Sequence, residues 1–313
     1  MPQVYAHEPV MVEEVVALFG TVPAGVVIDA TAGAGGHSAA ILTSRPDLEV
    51  VALDADEDAV AAAGRILAPF GARARIHHAR FDAMVEIAAT DGVVPGTASG
   101  VLFDLGVSSP QFDRAERGFS YRHDAPLDMR MDRSRPGTAA DVVNGWSETE
   151  LAQLFAAHGE GRFARRIAAA VVRARPLDGT ARLAEVVRAA IPAAARRHGG
   201  HPARRVFQAV RVAVNEELAV LERTVPDALA LLAPGGRCVA IAYHSGEDRI
   251  VKQAFARAVS GGCQCPPGLP CTCGAVPLGR LVFRGARRPS PEESGRNRRA
   301  DSARLRCFER GGS

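Results

Sequence analysis

Short apolar runs that end in an acidic residue recur along the first hundred residues of the chain. Val26-Val27-Ile28-Asp29, Val50-Val51-Ala52-Leu53-Asp54 and Gly100-Val101-Leu102-Phe103-Asp104 each read as a buried strand ending in aspartate. Residues 75–78 read as a weaker strand, followed by Phe81-Asp82. Helical patterns lie before and between them: 7–19, 37–44 ending before Pro46, and the alanine-rich 57–68. This alternation predicts a doubly wound α/β domain, a parallel sheet with helices on both faces. Ligands of such sheets sit at the carboxyl ends of the strands, where strand order reverses. Asp29, Asp54 and Asp104 all fall at such ends.

From about 110 to 205 the period changes to that of helices, with Leu151, Leu154 and Phe155, then Phe163, Ile167 and Val171. Breaks fall at Pro136-Gly137, Pro176, Pro192 and Gly199-Gly200. A helical domain inserted into the α/β domain is expected. Residues 203–225 predict one long helix with Val206, Phe207, Val210, Val214, Leu218 and Leu221 on one face. A fifth strand is expected over 236–243, with final strands at 280–284 and 303–308. The expected boundaries are therefore 1–109 for the first part of the α/β domain, 110–205 for the insert, and 206–313 for the second part with a basic C-terminal tail.

Composition narrows this picture only a little. At 313 residues, 47% apolar and 23% charged, the chain has the make-up of a soluble globular protein. It holds no run of about 18 apolar residues, so no membrane span is expected. The first residues lack the basic start and unbroken apolar stretch of a signal peptide, and a cytoplasmic protein is expected. The formal charge of +3 says little by itself, but its distribution says more. Residues 161–205 hold eleven arginines against Asp178 and Glu185, and residues 280–310 hold ten against four acids. Surface of that sign attracts phosphate. A solvated helix face is the bland alternative.

The chemistry is carried by three stretches. The first is the Gly33-Ala34-Gly35-Gly36-His37 turn after the first strand, where missing side chains let a ligand approach the backbone. Asp54 follows Gly35 by 19 residues, and a carboxylate there can accept both hydroxyls of a ribose. A dinucleotide fingerprint would need a third glycine where Ser38 stands, so the pattern suits S-adenosylmethionine better than NAD. Phe81 would be placed to line the adenine, or is ordinary core. The second stretch runs from Asp104 through Leu-Gly-Val-Ser-Ser-Pro to Gln111. An exocyclic base nitrogen is a poor nucleophile, because its lone pair is delocalised into the ring. Acceptors that grip its N–H groups can draw it toward a tetrahedral form as a methyl group arrives, and an acid followed by a proline-stiffened turn supplies them. The third is Cys263-Gln-Cys265 with Cys271-Thr-Cys273, whose crowding suits a tetrahedral zinc site. Zinc and free or redox-labile thiols are equally open for it, and no metal ligand is assigned.

DATAGAGGH, LFDLGVSSPQFD, the ERGFSYRHDAPLDMRMD run of 116–132, HPARRVFQAVRVAVNEEL over 201–218 and YHSGEDRIVK over 243–252 resemble the ribosomal RNA small-subunit methyltransferase H family, nearly end to end and in order. The resemblance implies a Rossmann-like methyltransferase sheet with an inserted helical, RNA-binding domain. It implies S-adenosylmethionine-dependent N4-methylation of a cytidine in the decoding region of 16S ribosomal RNA, within the small ribosomal subunit. Matched residue by residue, Gly35, Gly36, His37, Asp54, Phe81, Asp104 and Gln111 would contact the cofactor, with Asp104 also the catalytic residue. Gly246 departs from the family's leucine. His244, Ser245, Glu247 and Asp248 around it either line the base pocket or pin a loop. Phe112, Phe119 and Tyr121 could stack on a flipped base or belong to the core. The runner-up readings are a methyltransferase for another base or for a small molecule, and a non-catalytic RNA-binding protein that keeps the fold. The oligomeric state stays open, a homodimer included.

Overall fold

The computed structural model describes residues 9–312 except 109–110, 113, 194, 196–200, 202 and 267–271. It divides into two compact units, one of residues 1–106 with 218–313, the other Val107–Glu217.

The first unit is built on seven strands: β1 Gly25–Asp29, β2 Leu48–Asp54, β3 Ala74–His78, β4 Ala98–Asp104, β5 Leu232–Ala242, β6 Gly279–Leu281 and β7 Arg304–Arg310, in the spatial order β3-β2-β1-β4-β5-β7-β6. The first five run parallel, and β7 pairs antiparallel with both β5 and β6. Order reverses between β1 and β4, which places a crevice at their carboxyl ends. In register, Asp29 lies opposite Ala52 of β2 and Leu102 of β4. Both neighbours therefore run two residues further, and Asp54 and Asp104 flank the turn that leaves β1.

Alternation along the strands sorts the side chains into two cores. Ile28, Val51, Leu53, Val101 and Phe103 face one way. There they meet Met84 and Ala88 of α4 (Met84–Thr90), Leu221 and Val225 of helix Glu217–Leu231, and Ile250 and Phe255 of helix Ser245–Ser260. Val27, Val50, Ala52, Leu102 and Val239 face the other way, against α1 (Val12–Phe19), α2 (Gly36–Ser44) and α3 (Glu57–Leu67). Helices thus cover both faces of the sheet, as the unbroken apolar runs of the strands require.

The second unit is helical: α5 Ala139–Gly145, α6 Glu148–Phe155, α7 Ala164–Arg173, α8 Thr180–Ala190 and α9 Ala203–Asn215. Capping boxes at Thr138/Asp141 and Ser147/Glu150 start α5 and α6. Its core includes Leu151, Phe155, Ile167, Val171, Val187, Val206 and Phe207.

The single long helix expected over 203–225 is broken. α9 ends at Asn215, Glu216 adopts φ 54°, and α10 (Glu217–Leu231) begins anew. The cause is tertiary. Asn215 Oδ1 accepts the Met131 N–H at 2.8 Å, while its Nδ2 donates to the Met129 carbonyl at 2.8 Å and to Arg211 O at 2.9 Å. Arg211 also grips Glu217 through two bonds of 2.8 and 2.9 Å. These contacts hold a left-handed backbone that a non-glycine residue does not choose unaided. The helical unit runs Val107–Glu217, beside the 110–205 that the change of period predicts.

Candidate active site

The turn after β1 is tied to both neighbouring strands: Ala30 N–H donates to Leu102 O at 2.9 Å and Ala32 N–H to Leu53 O at 2.8 Å. Gly33 (φ 52°) and Gly35 (φ 86°) adopt the left-handed conformation that makes glycine the natural choice. A Cβ on Gly35 would press on Ala63 of α3 at 3.2 Å, whereas one on Gly33 would meet nothing within 4 Å. Gly35 is there for packing, and Gly33 leaves open space at the strand edge. α2 starts directly behind, and the leading N–H groups of a helix lack partners within it.

Three carboxylates line this edge. Asp29 is buried and accepts from Ser38 Oγ at 2.6 Å and Thr31 N at 3.2 Å; burial nevertheless pushes its pKa up. Asp54 accepts the Gly33 N–H at Oδ2 and the Asp56 N–H at Oδ1, both at 2.8 Å. Its pKa is raised to about 7, chiefly by desolvation, with these two bonds opposing. Asp104 is fixed at two points and faces a third group. Its N–H donates to Thr31 Oγ1 at 2.6 Å, its Oδ1 accepts the Tyr243 hydroxyl at 2.7 Å, and its Oδ2 lies 3.7 Å from His37 Nδ1. Burial raises its pKa, and His37 and Tyr243 pull against that shift. Tyr243 is in turn driven well above the ordinary phenol range by burial and by Asp104. His37 is anchored by its other nitrogen. Nε2 sits 2.9 Å from the Val10 carbonyl, which can only accept, so Nε2 carries a hydrogen, and a second proton on Nδ1 would pair with Asp104.

Phe81 lies in a short turn beyond β3, half-buried, edge-on to Phe103 with centroids 5.9 Å apart. Gln111 belongs to the helical unit, where it is buried and its Oε1 accepts the Ser108 N–H at 2.9 Å. The α/β unit thus brings together Gly35, Gly36, His37, Asp54 and Asp104 at the carboxyl ends of adjacent strands, with Phe81 beyond the neighbouring β3.

The polar residues after β5 pin the start of α11 (Ser245–Ser260). His244 Nδ1 accepts the N–H groups of Gly246 and Glu247 at 3.1 and 3.4 Å. That leaves the hydrogen on Nε2, 2.9 Å from Glu247 Oε1. Glu247 also accepts from Tyr243 N at 2.8 Å. Asp248 is held by Arg306 at 2.7 and 3.1 Å and by Arg304 at 3.3 Å. Burial raises the Asp248 pKa, but these guanidiniums outweigh it and the net shift is downward. Of the aromatic candidates, Phe119 is buried in the helical core, Tyr121 stacks on His201 at 4.3 Å, and Phe112 is exposed.

Sequence reasoning overlooked Thr31, Ser38 and Tyr243, which orient the acids. The first two are the polar positions of an otherwise small-residue turn, and Tyr243 opens the YHSGEDR run. That polarity was the available signal.

The sequence pattern of the MraW methylase family matches residues 4–311. A "Ribosomal RNA small subunit methyltransferase H" of Symbiobacterium thermophilum is 52% identical over 308 residues, covering 97% of this chain and 96% of that protein. Proteins of the same name from Thermobifida fusca and a Nocardioides species are 49% and 50% identical, each over 97% of this chain and over 93% and 97% of their own lengths.

Proposed function

Because the chain belongs to the MraW methylase family, we propose that it transfers the methyl group of S-adenosylmethionine to N4 of a cytidine in the decoding region of 16S ribosomal RNA. The names of its relatives favour the RNA as substrate. The strand-edge residues suit the cofactor. Gly33 leaves room at the backbone, and Asp54 is a desolvated carboxylate still able to accept hydroxyl hydrogens, as a ribose diol requires. Gly35, Gly36, His37 and Phe81 complete that set, with Phe81 toward the adenine end.

One observation carries the catalytic part: Asp104, held by Tyr243 and Thr31 at the tip of the strand beside the glycine turn. S-adenosylmethionine supplies a methyl group already activated on a sulfonium, so positioning is the main task left to the protein. Asp104 performs it for the base. Tyr243 and the β4 backbone fix the carboxylate, which accepts a hydrogen of the cytosine amine and favours its pyramidal form. A preorganised acceptor aimed at the reacting group costs no reorientation during the reaction. The burial that raises the Asp104 pKa also makes it a better base for the proton that the alkylated nitrogen must lose.

The test is direct. Full-length protein, S-adenosylmethionine and either naked 16S ribosomal RNA or small subunits are incubated, and the RNA is digested to nucleosides for mass spectrometry. N4-methylcytidine at one decoding-region position is expected. Methylation confined to another base, or to a ring carbon, would overturn the proposal.

A further inference from the structure

Outside the strand edge, the described residues contain one group of three or more metal-binding side chains that converge: Cys263, Cys265 and Cys273, in the loop between α11 and β6. Their sulfurs all lie within 4.8 Å of one another, and Cys263 Sγ is 3.6 Å from Cys273 Sγ. Thiolates bound to zinc at about 2.3 Å in a tetrahedron stand roughly 3.8 Å apart. A disulfide would bring two sulfurs to about 2.05 Å and leave the third aside. The arrangement has the spacing of ligands around an ion.

We propose that Cys263, Cys265 and Cys273 bind a structural zinc ion that clamps this loop onto the end of α11. The Cys265 sulfur faces the backbone N–H groups of Thr272 and Cys273. N–H bonds to sulfur are the outer contacts that orient metal-binding cysteines. Three converging sulfurs repel one another once ionised, and a divalent cation removes that cost.

The loop is already closed by the fold. Gly261 (φ 61°) ends α11, its N–H and that of Gly262 returning to Ala258 O and Arg257 O. Leu278 N–H donates to Ala258 O at 2.8 Å, so both ends of the loop return to one helix terminus. A loop tethered in this way needs little further ordering to receive an ion. On binding, three S–Zn bonds replace zinc–water bonds, the released water and the thiol protons go to solvent, and no electrons move. Zinc takes four ligands. The fourth comes from outside these three, and Cys271, the remaining cysteine of the run, lies outside the described residues.

Metal analysis of the full chain, purified in reductant with no added metal, tests the assignment. About one zinc per chain is expected, and both Cys265→Ser and Cys273→Ser should lower it severalfold. Exchange into cobalt should give thiolate-to-cobalt charge-transfer absorbance. That measurement uses the unaltered protein, so it stands even where a variant fails to fold. Chelation should speed amide hydrogen exchange over residues 261–278 while S-adenosylmethionine binding persists. Zinc below about a tenth per chain in freshly reduced protein, together with no cobalt–thiolate absorbance, would overturn the proposal. Stoichiometric iron in place of zinc, or a Cys263–Cys273 disulfide in metal-free protein, would overturn it too.

Discussion

Residues 161–205 and 280–310 are alike as sequence, each dense in arginine and poor in acids. They differ in how much of the charge the fold ties down, although the first block also binds Arg175 to Val143 O and Arg205 to Gly159 O. In the first block, Arg165, Arg166 and Arg173 stand exposed on α7, on the side away from buried Ile167, Ala168 and Val171. In the second, Arg306 and Arg304 grip Asp248, and Arg280 meets Glu309 at 2.6 Å. Arg310 reaches the carbonyls of Leu229 and Ala230 at 3.4 and 3.3 Å, and Arg287 lies over the ring of Phe283 at 4.2 Å. Guanidiniums spent on internal acceptors build the fold; exposed ones are available to phosphate. Counting charge along a segment does not distinguish these uses, whereas the position of the nearest acid does. The strand-edge aspartates belong with the second block, since each has fixed internal partners.

The sharpest test of that contrast is Asp104. Asp104→Asn keeps shape and loses charge, and kcat at saturating cofactor and RNA should fall by about 100-fold or more. Steady-state kinetics checks this, and full turnover by Asp104→Ala would move the site elsewhere. Salt should leave the loss unchanged, because the partners are internal.

Next in size is Asp54. Asp54→Ala should weaken S-adenosylmethionine binding by about 1.5–3 kcal/mol, read by calorimetry. Hydroxyl donors favour the ionised carboxylate, so wild-type affinity should rise as pH passes through about 7 and flatten above it. Stability runs in the opposite sense. The folded-state pKa of about 7 exceeds the ordinary 3.8, so the native protein holds this proton more tightly than the unfolded chain does. The Asp54 contribution is full below about pH 4 and is lost as pH rises toward 7. Asp54→Asn should remove both slopes.

Arg306→Ala should cost about 2 kcal/mol of unfolding free energy by leaving Asp248 without its main cation. Arg165→Ala should change stability by no more than about 0.5 kcal/mol. Equal losses in denaturant titrations would erase the distinction between the two blocks. The smallest effect per residue is electrostatic: replacing Arg165, Arg166 and Arg173 with glutamine should lower the log-affinity against log-salt slope for ribosomal RNA by about one per arginine removed. An unchanged slope would mean that these charges only solvate the helix.

Much of this was legible in the residues, and the limits have physical causes. The strands could be read because a buried parallel strand must be apolar throughout and its tip need not be, which is why Asp29, Asp54 and Asp104 marked their ends. The Asn215 break could not, because its cause lies 84 and 86 residues away at Met131 and Met129. Apolar spacing continues across it without interruption. Tyr243 escaped notice as an orienting group for the same reason: its partner Asp104 is 139 residues distant in sequence and adjacent only in the sheet. The cysteine run announced itself by spacing, but only the fold brings three of its sulfurs within reach of one another.

The position of β7 has a consequence for how the chain acquires its structure. β6 is synthesised before β7, yet its ladder partner is β7, which lies between it and β5. The outer margin of β5 stays exposed until residues more than sixty positions later arrive to cover it. Closure over such sequence separations is slow, and an unpaired margin invites association between nascent chains. Assembly is therefore expected to proceed from the parallel half of the sheet outward, with β7 as the late piece that quenches the sheet.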